Sequence, residues 1–131
     1  MKSIQPGKPF TVAVHLKIEK DWHIYWKHPG DAGAATSVTF HVPDGFEVGP
    51  LRWPHPEKFT QPGDVVGYGY SGEVMLSATV TPPKDLKVGK VVEIKAESVW
   101  LACKTKCIPG HGKDAIELQV SKKARPANDK A

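Results

Sequence analysis

Turn-forming residues interrupt this chain so often that they limit what it can fold into. Twelve glycines and twelve prolines are spread over 131 residues, in runs such as QPGKP, HPGDAG, VPDGF and IPGHGK. Because proline and glycine break helices and initiate turns, long helices are not expected. With 40% hydrophobic residues, the chain can still bury the core of one domain of ordinary size. These features predict an all-β domain.

Between the turns, apolar and polar residues alternate. The alternation is found at residues 10–18, 37–42, 73–80, 91–102 and 115–120. A period of two is typical of strands that bury one face. Seven or so short strands joined by tight turns predict an immunoglobulin-like antiparallel β-sandwich, although a small barrel gives a similar pattern.

Composition bounds the domain organisation and the partners. Residues 1–121 are interpreted as one domain, and residues 122–131, which are polar and contain a proline, as a linker or disordered tail. The net charge of +4 comes from scattered lysines without an arginine–aromatic stripe, so nucleic-acid binding is not expected. No stretch approaches the roughly eighteen apolar residues of a membrane-spanning helix.

Two segments depart from the strand pattern and are rich in aromatic residues. Residues 21–33 read DWHIYWKHPGDAG, and residues 51–72 read LRWPHPEKFTQPGDVVGYGYSG. We expect long loops here, and such loops in compact domains often carry function. The alternative is that the aromatic side chains only close the ends of the sandwich.

The only two cysteines, Cys103 and Cys107, are separated by three residues in the stretch WLACKTKCIPG. On one straight strand their Cα atoms would lie about 13 Å apart, which is too far for a disulfide. The strand pattern ends near Ala102 and resumes near Ala115, so a turn directly after Cys103 is expected, with the two sulfurs meeting across the mouth of a hairpin.

The chemistry of this pair has three interpretations. A structural disulfide over so short a loop stabilises by only about 2 kcal/mol, which disfavours a purely structural role. A redox-active dithiol fits better, since Lys104, Lys106 and His111 place positive charge near the sulfurs and favour the thiolate. A zinc or copper(I) site with His111, and with His55 or His23, is the third interpretation, although no second cysteine cluster exists.

Several local patterns, taken together in order, resemble a known family. The segments DWHIYWKHPGDAG, WPHPEKF, GYGYSGEVML and VWLACKTKCIPG resemble the N-terminal periplasmic domain of the thiol:disulfide interchange protein DsbD, especially its ScsB-like branch. The resemblance covers roughly residues 5 to 120. The spacing of three residues between the cysteines matches the ScsB-like branch, whereas the best-known members have five.

The resemblance implies an immunoglobulin-like domain, active without a cofactor or metal, in an inner-membrane protein of the periplasm. It implies that Cys103 and Cys107 form the catalytic dithiol, which accepts electrons from a transmembrane domain of the same parent protein. The electrons pass to periplasmic thioredoxin-fold proteins, which makes the domain a protein-disulfide reductase. The isolated domain is expected to be monomeric.

The resemblance also implies an aromatic cap over the active disulfide. Phe59 is the candidate shield, flanked by Tyr68 and Tyr70, and Tyr25 and His23 are the candidate pocket residues. His23 stands where better-known members carry an aromatic residue. The competing function is a periplasmic copper-binding sandwich for copper tolerance, using the cysteines with nearby histidines or Met75.

Overall fold

All regular structure in the described part of the chain is β-strand. The computed structural model describes residues 2–31 and 33–122. In chain order, the ten strands are β1 Lys2–Ile4, β2 Phe10–Lys17, β3 Ile24–Gly30, β4 Ser37–His41, β5 Glu47–Val48, β6 Glu57–Gln61, β7 Val65–Tyr70, β8 Glu73–Thr81, β9 Val91–Cys103 and β10 Cys107–Val120. The described residues include no helix that could cross a membrane.

The strands form three sheets. One sheet has the order β1-β10-β9-β4, the second β2-β8-β5 and the third β3-β7-β6. All neighbours are antiparallel except β1, which pairs with β10 in parallel at residues 118–120. The predicted all-β, immunoglobulin-like sandwich is therefore confirmed, with one short parallel pair added.

The core follows from the alternation seen in the sequence. Along β8 every second side chain is buried, and Leu76 and Val80 have no exposed surface. The larger buried cluster comprises Ile4, Val12, Phe46, Ala78, Val80, Val92, Ile94, Leu118 and Val120. A second cluster of Ile24, Tyr70, Val74 and Leu76 packs against the partly buried Trp26, Trp53 and Trp100. This second cluster supports the part of the sandwich where β9 ends.

The expectation of a long loop over residues 51–72 is wrong, because β6 and β7 form an antiparallel hairpin. The sequence VVGYGY lacks the apolar alternation of a strand because glycine occupies alternate positions. Gly69 lies directly opposite Tyr25 in the pairing of β3 with β7. A Cβ atom at Gly69 would overlap the carbonyl oxygen of Ile24, so glycine is required there by the close approach of the two strands.

The expected long loop at residues 21–33 and the expected start of β10 also differ from the structure. The aromatic segment 21–33 contains β3, whose pairing with β7 is irregular between Tyr25 and Gly30. Strand β10 begins at Cys107 rather than near Ala115, although it contains Pro109. Proline is tolerated because β10 pairs with β9 on one side, while β1 reaches only residues 118–120 on the other.

The chain remains part of the folded domain up to the predicted domain end at residue 121. Val120 is fully buried, and the amide of Ser121 donates to the carbonyl of Ile4 at 2.9 Å. The chain is therefore part of the folded unit up to this point. The predicted polar tail begins at residue 122, and residues 123–131 lie outside the described residues, so that interpretation stays a prediction.

Candidate active site at the tip of a β-hairpin

The two cysteines form a disulfide across the tip of the β9–β10 hairpin. Cys103 ends β9, Cys107 begins β10, and the two residues lie directly opposite each other. Their sulfurs are 2.02 Å apart and their Cα atoms 4.1 Å apart. The intervening turn is closed by the Lys104 amide, which donates to the Lys106 carbonyl at 3.0 Å. The predicted turn after Cys103 is confirmed.

The two sulfur-bearing residues differ in their access to solvent. Cys103 is 1% exposed, whereas Cys107 is exposed. Thiol–disulfide exchange requires one sulfur to attack another through a mixed disulfide, so access decides which cysteine a partner can reach. A macromolecular partner can reach Cys107 directly, and Cys103 only after a rearrangement of its surroundings.

A histidine lies beside the buried cysteine. The amide of His23 donates to the Cys103 carbonyl at 3.0 Å, and the amide of Cys103 donates to the His23 carbonyl at 2.9 Å. Residues directly opposite in an antiparallel pair project their side chains to the same face. The imidazole of His23 is therefore on the same face as the disulfide.

His23 is also the centre of an aromatic group. Its Nε2 atom lies 3.1 Å from the hydroxyl oxygen of Tyr25. The Tyr25 residue is only 1% exposed. The ring of Phe59, from the β6–β7 hairpin, stacks on the imidazole with ring centroids 4.5 Å apart and an interplanar angle of 25°. Burial lowers the pKa of His23, because the charged imidazolium loses hydration in this environment. The group thus favours a neutral imidazole.

The other two tyrosines from the sequence analysis have different surroundings. The ring of Tyr68 packs edge-on against Trp26, with centroids 6.4 Å apart. Tyr70 is 5% exposed, belongs to the second core cluster and donates its hydroxyl to the Pro54 carbonyl at 2.8 Å. Burial raises the pKa of Tyr70 to about 12. The structure therefore brings His23, Tyr25 and Phe59 together and places Tyr70 in the core.

Glycines complete the surroundings of Tyr25, and sequence reasoning missed them. A Cβ atom at Gly33 would overlap the Tyr25 ring, and one at Gly67 would lie 3.2 Å from it. Gly67 is also the cross-strand neighbour of Phe59. The available signal was the GYG repeat at residues 67–69, since alternate glycines in a strand indicate close approach by another group.

Among the residues of the hypothesised metal site, the structure places His23 beside Cys103. Within residues 2–31 and 33–122, no group of three or more histidine, cysteine, aspartate or glutamate side chains could hold a metal ion. His111 pairs with Val99 along the β9–β10 ribbon. Met75 lies opposite His15 in the pairing of β8 with β2. The copper-binding alternative therefore has no group of three or more such ligands among the described residues.

An exposed cysteine bonded to a buried one at a hairpin tip has the geometry that a thiol–disulfide interchange domain needs. The family model for the N-terminal region of the thiol:disulfide interchange protein DsbD matches residues 1–118. The chain belongs to this family of DsbD N-terminal domains.

A solved structure supports the fold. The N-terminal periplasmic domain of ScsB from Proteus mirabilis superposes with a TM-score of 0.60 at 19% sequence identity. The match covers 86% of this chain and 42% of that one, so the chain spans less than half of the ScsB structure. A search of curated proteins finds no match to this chain.

Proposed function

We propose that this domain is a protein-disulfide reductase of the periplasm, belonging to an inner-membrane protein. Its dithiol accepts two electrons from a membrane-embedded domain of the parent protein and passes them to disulfides of thioredoxin-fold proteins. The observation that carries this proposal is the pairing of an exposed Cys107 with a buried Cys103 at the hairpin tip. One cysteine is available to a partner while the other is held ready to resolve the mixed disulfide.

In the reducing step, the Cys107 thiolate attacks one sulfur of the partner's disulfide. A bond forms between Cys107 and that sulfur, and the other partner sulfur leaves as a thiolate. The Cys103 thiolate then attacks the Sγ atom of Cys107, closing the intramolecular disulfide and releasing the second partner thiolate. The partner gains two electrons and the domain loses two, which the membrane-embedded donor restores by the reverse exchange.

The aromatic group is assigned to protection of this dithiol. A reactive thiol in an oxidising compartment is open to oxidation by unsuited disulfides. Phe59 is the shield, and the stacking of its ring on His23 supports this role. Tyr25 anchors His23 by the contact of 3.1 Å between its hydroxyl and Nε2. Tyr68 supports the same hairpin from Trp26, and Tyr70 fixes its end to Pro54.

The experiment is a measurement of the reduction potential, combined with trapping of the mixed disulfide. The domain is equilibrated with glutathione or dithiothreitol buffers, and its free thiols are counted. A potential of roughly −180 to −270 mV supports the relay, whereas a value below about −300 mV marks a structural disulfide and contradicts it.

Single-cysteine variants then assign the two sulfurs. We expect Cys103→Ala to accumulate a mixed disulfide with an oxidised thioredoxin-fold protein, because Cys107 can attack and nothing resolves the product. Cys107→Ala is the matched variant and should accumulate far less. Equal trapping by both variants would contradict the assignment of Cys107 as the attacking sulfur.

A further inference from the structure

Three side chains form one row across the tip of the β9–β10 hairpin. Cys103 is paired with Cys107 on one side. On its other side it is paired with His23, through two backbone hydrogen bonds of 3.0 and 2.9 Å. Residues directly opposite each other in antiparallel strands project their side chains to the same face. The buried cysteine therefore lies between its disulfide partner and an imidazole.

The imidazole of His23 is within reach of the Cys103 sulfur. The Cβ atoms of directly opposed residues are about 5 Å apart. The Sγ atom of a cysteine is bonded to its Cβ atom, and the Nδ1 atom of a histidine is bonded to the ring carbon next to its Cβ atom. These two atoms can thus approach to hydrogen-bond distance without movement of the backbone. Cys107 lies one strand spacing, about 4.8 Å, further from His23.

The neighbours of His23 fix its ring and leave one nitrogen unoccupied. Nε2 lies 3.1 Å from the Tyr25 hydroxyl oxygen, and the ring of Phe59 stacks on the imidazole. Within the part of the chain that the structure describes, no hydrogen bond reaches Nδ1. In the tautomer whose Nε2–H group donates to the Tyr25 oxygen, Nδ1 keeps its lone pair and can accept a proton.

The strands packed against the imidazole present few other groups that could compete for a proton. Strand β6 presents the uncharged ring of Phe59. Glu57, two positions earlier on the same strand, accepts a hydrogen bond from the Ser71 hydroxyl at 2.7 Å. The Tyr25 hydroxyl is a donor or an acceptor of hydrogen bonds and is not a base at neutral pH. The imidazole of His23 is therefore the group of this aromatic site that can take a proton near neutral pH.

The turn between the cysteines carries positive charge of a different kind. Lys104 and Lys106 are both exposed there. An ammonium group attracts a thiolate but already carries its proton at neutral pH, so it cannot take one from a thiol. The lysines can therefore favour a thiolate once it has formed, but they cannot serve as the base that forms it.

The buried cysteine is the one that needs a base. Cys103 is 1% exposed, and burial disfavours the thiolate of a reduced cysteine because the charged form loses hydration. Only the thiolate attacks a disulfide. Closure of the intramolecular disulfide by Cys103 therefore requires that its proton be removed inside the protein.

We propose that the imidazole of His23 accepts the proton of the Cys103 thiol when Cys103 resolves the mixed disulfide. The inference rests on the proposed function. The proton passes from Sγ of Cys103 to Nδ1 of His23, and the Cys103 sulfur attacks the Sγ atom of Cys107. The new sulfur–sulfur bond forms as the bond between Cys107 and the partner sulfur breaks, and the electron pair of the broken bond leaves on the partner's thiolate.

The imidazolium then releases its proton to solvent. In the reverse reaction, which reduces the domain, the same group returns a proton to the departing Cys103 thiolate. While both charges exist, the thiolate and the imidazolium stabilise each other, since opposite charges in contact favour the charged forms. His23 thus acts on the proton of one cysteine and leaves the exposed Cys107 to react with partners.

The test isolates the resolving step with a chromogenic disulfide. The reduced domain is mixed with dithiobis(nitrobenzoate), whose released thiolate absorbs visible light. Attack by Cys107 releases one thiolate, and closure by Cys103 releases the second in a first-order phase. We expect His23→Phe, which keeps an aromatic ring against Phe59, to slow the second phase about tenfold at about pH 7. The first phase should stay within about twofold, and the difference in the second should vanish towards about pH 10, where a thiol ionises without a base.

His28→Phe is the matched control. His28 is exposed on β3 and has an edge-on contact with Trp26. We expect both phases of this variant to match the unmodified domain at every pH. His23→Gln is the second test variant, since an amide can contact the Tyr25 hydroxyl but cannot take a proton, and it should repeat the slow second phase. Thermal unfolding checks that all three variants remain folded.

The other outcomes overturn either this role of His23 or the proposed function. If His23→Phe slows the second phase by the same factor at every pH, His23 only positions Cys103 and the inference fails. If the second phase is unchanged or faster, His23 takes no proton, and the inference fails while the proposed function stands. If His23→Gln keeps the rate of the unmodified domain, a hydrogen bond rather than proton transfer is responsible, and the inference also fails. If the unmodified domain releases only one thiolate, Cys103 does not resolve the mixed disulfide, and the proposed function fails together with the inference.

Discussion

The two faces of the β9–β10 tip are formed by the same two strands but differ in their side chains. On one face, the buried Cys103 is flanked by His23, which contacts Tyr25 and the ring of Phe59. On the other face, Ile108 is exposed beside an apolar groove. The first face is filled by the protein's own aromatic side chains, whereas on the second face Trp100 and Ala102 pack against the core and only the side chain of Ile108 stays exposed at the tip. Strand alternation thus lets one short hairpin place a disulfide on one face and an apolar surface on the other.

The largest expected effect tests how the filled face is held together. Gly69→Ala places a Cβ atom against the carbonyl oxygen of Ile24, so β3 and β7 must separate. We expect a loss of about 3 kcal/mol or more in the free energy of unfolding, measured by urea denaturation. The control is Gly49→Ala, whose Cβ atom would meet only the Thr79 carbonyl oxygen at 3.4 Å. Similar losses in the two variants would show that close approach at Gly69 does not hold this face.

The next effect tests whether the filled face shields the disulfide. Phe59→Ala removes the ring stacked on His23. We expect reduction of the disulfide by dithiothreitol to accelerate about tenfold, a gain in access worth about 1.4 kcal/mol. Lys58→Ala, on the adjacent position of β6 with its side chain on the other face, should leave the rate unchanged. If both variants react at the rate of the unmodified domain, Phe59 is not a shield.

A smaller effect distinguishes a core role of Tyr70 from a role in shielding the disulfide. Tyr70→Phe removes the hydroxyl that donates to the Pro54 carbonyl and should lower the free energy of unfolding by about 1 kcal/mol. Tyr68→Phe is the control, because the Tyr68 hydroxyl makes no hydrogen bond within the part of the chain that the structure describes. Neither change should alter the rate of reduction by dithiothreitol. A faster rate in Tyr70→Phe would place Tyr70 in the shield after all.

Tyr70 also predicts a dependence of stability on alkaline pH. Its pKa in the folded domain is raised to about 12, whereas an unfolded tyrosine ionises near pH 10. The unfolded state therefore loses a proton first, and the free energy of unfolding falls as the pH rises from about 10 to about 12. Urea denaturation across this range should show a decline that is absent in Tyr70→Phe.

The smallest effect is a dependence of the shield on acidic pH. Burial lowers the pKa of His23, so the closed arrangement binds a proton less readily than an open one. Acidification below the ordinary histidine pKa of about 6.5 therefore favours opening, until the pH passes the lowered pKa. With a phosphine reductant, which needs no thiolate, the rate of reduction relative to that of a variant without the imidazole should rise as the pH falls from about 7.5 to about 5.5.

The matched variant for this pH effect is His23→Phe, which keeps an aromatic ring against Phe59 and removes the titratable group. The Tyr25 hydroxyl, which lies 3.1 Å from Nε2 of His23, is retained in this variant. We expect the ratio of the rates for the unmodified domain and the variant to rise as the pH falls. A constant ratio would show that His23 does not link protonation to access.

Local patterns predicted the strands that bury one face. The alternation in β2, β8 and β9 was readable because each strand places apolar side chains on a single buried side. The same logic failed for β7 and for the start of β10. In β7, glycines take the places where β3 and Tyr25 approach, and in β10 Gly110 takes the place where Trp100 packs. Strand positions that need glycine for close packing do not contribute to a hydrophobic alternation.

The candidate site was predictable in part for a similar reason. The turn after Cys103 followed from the end of the strand pattern near Ala102, and the cysteine spacing is one that no extended strand could bridge. The contact between His23 and Phe59 joins residues 36 positions apart and could not be read from spacing. The core position of Tyr70, one residue from a glycine and two from Tyr68, also had no local signal.

The sequence by itself determined an all-β domain whose two cysteines can bond only across a tight turn. Both results depend on local rules, since residue alternation and chain reach act over a few positions. Tertiary structure alone decided which cysteine is buried, which aromatic ring lies over His23 and which apolar side chains of the hairpin stay exposed. These features depend on the approach of β3, β6 and β7 to the β9–β10 tip. Exposure and contact across sheets are set by the packing of distant segments, which no local pattern records.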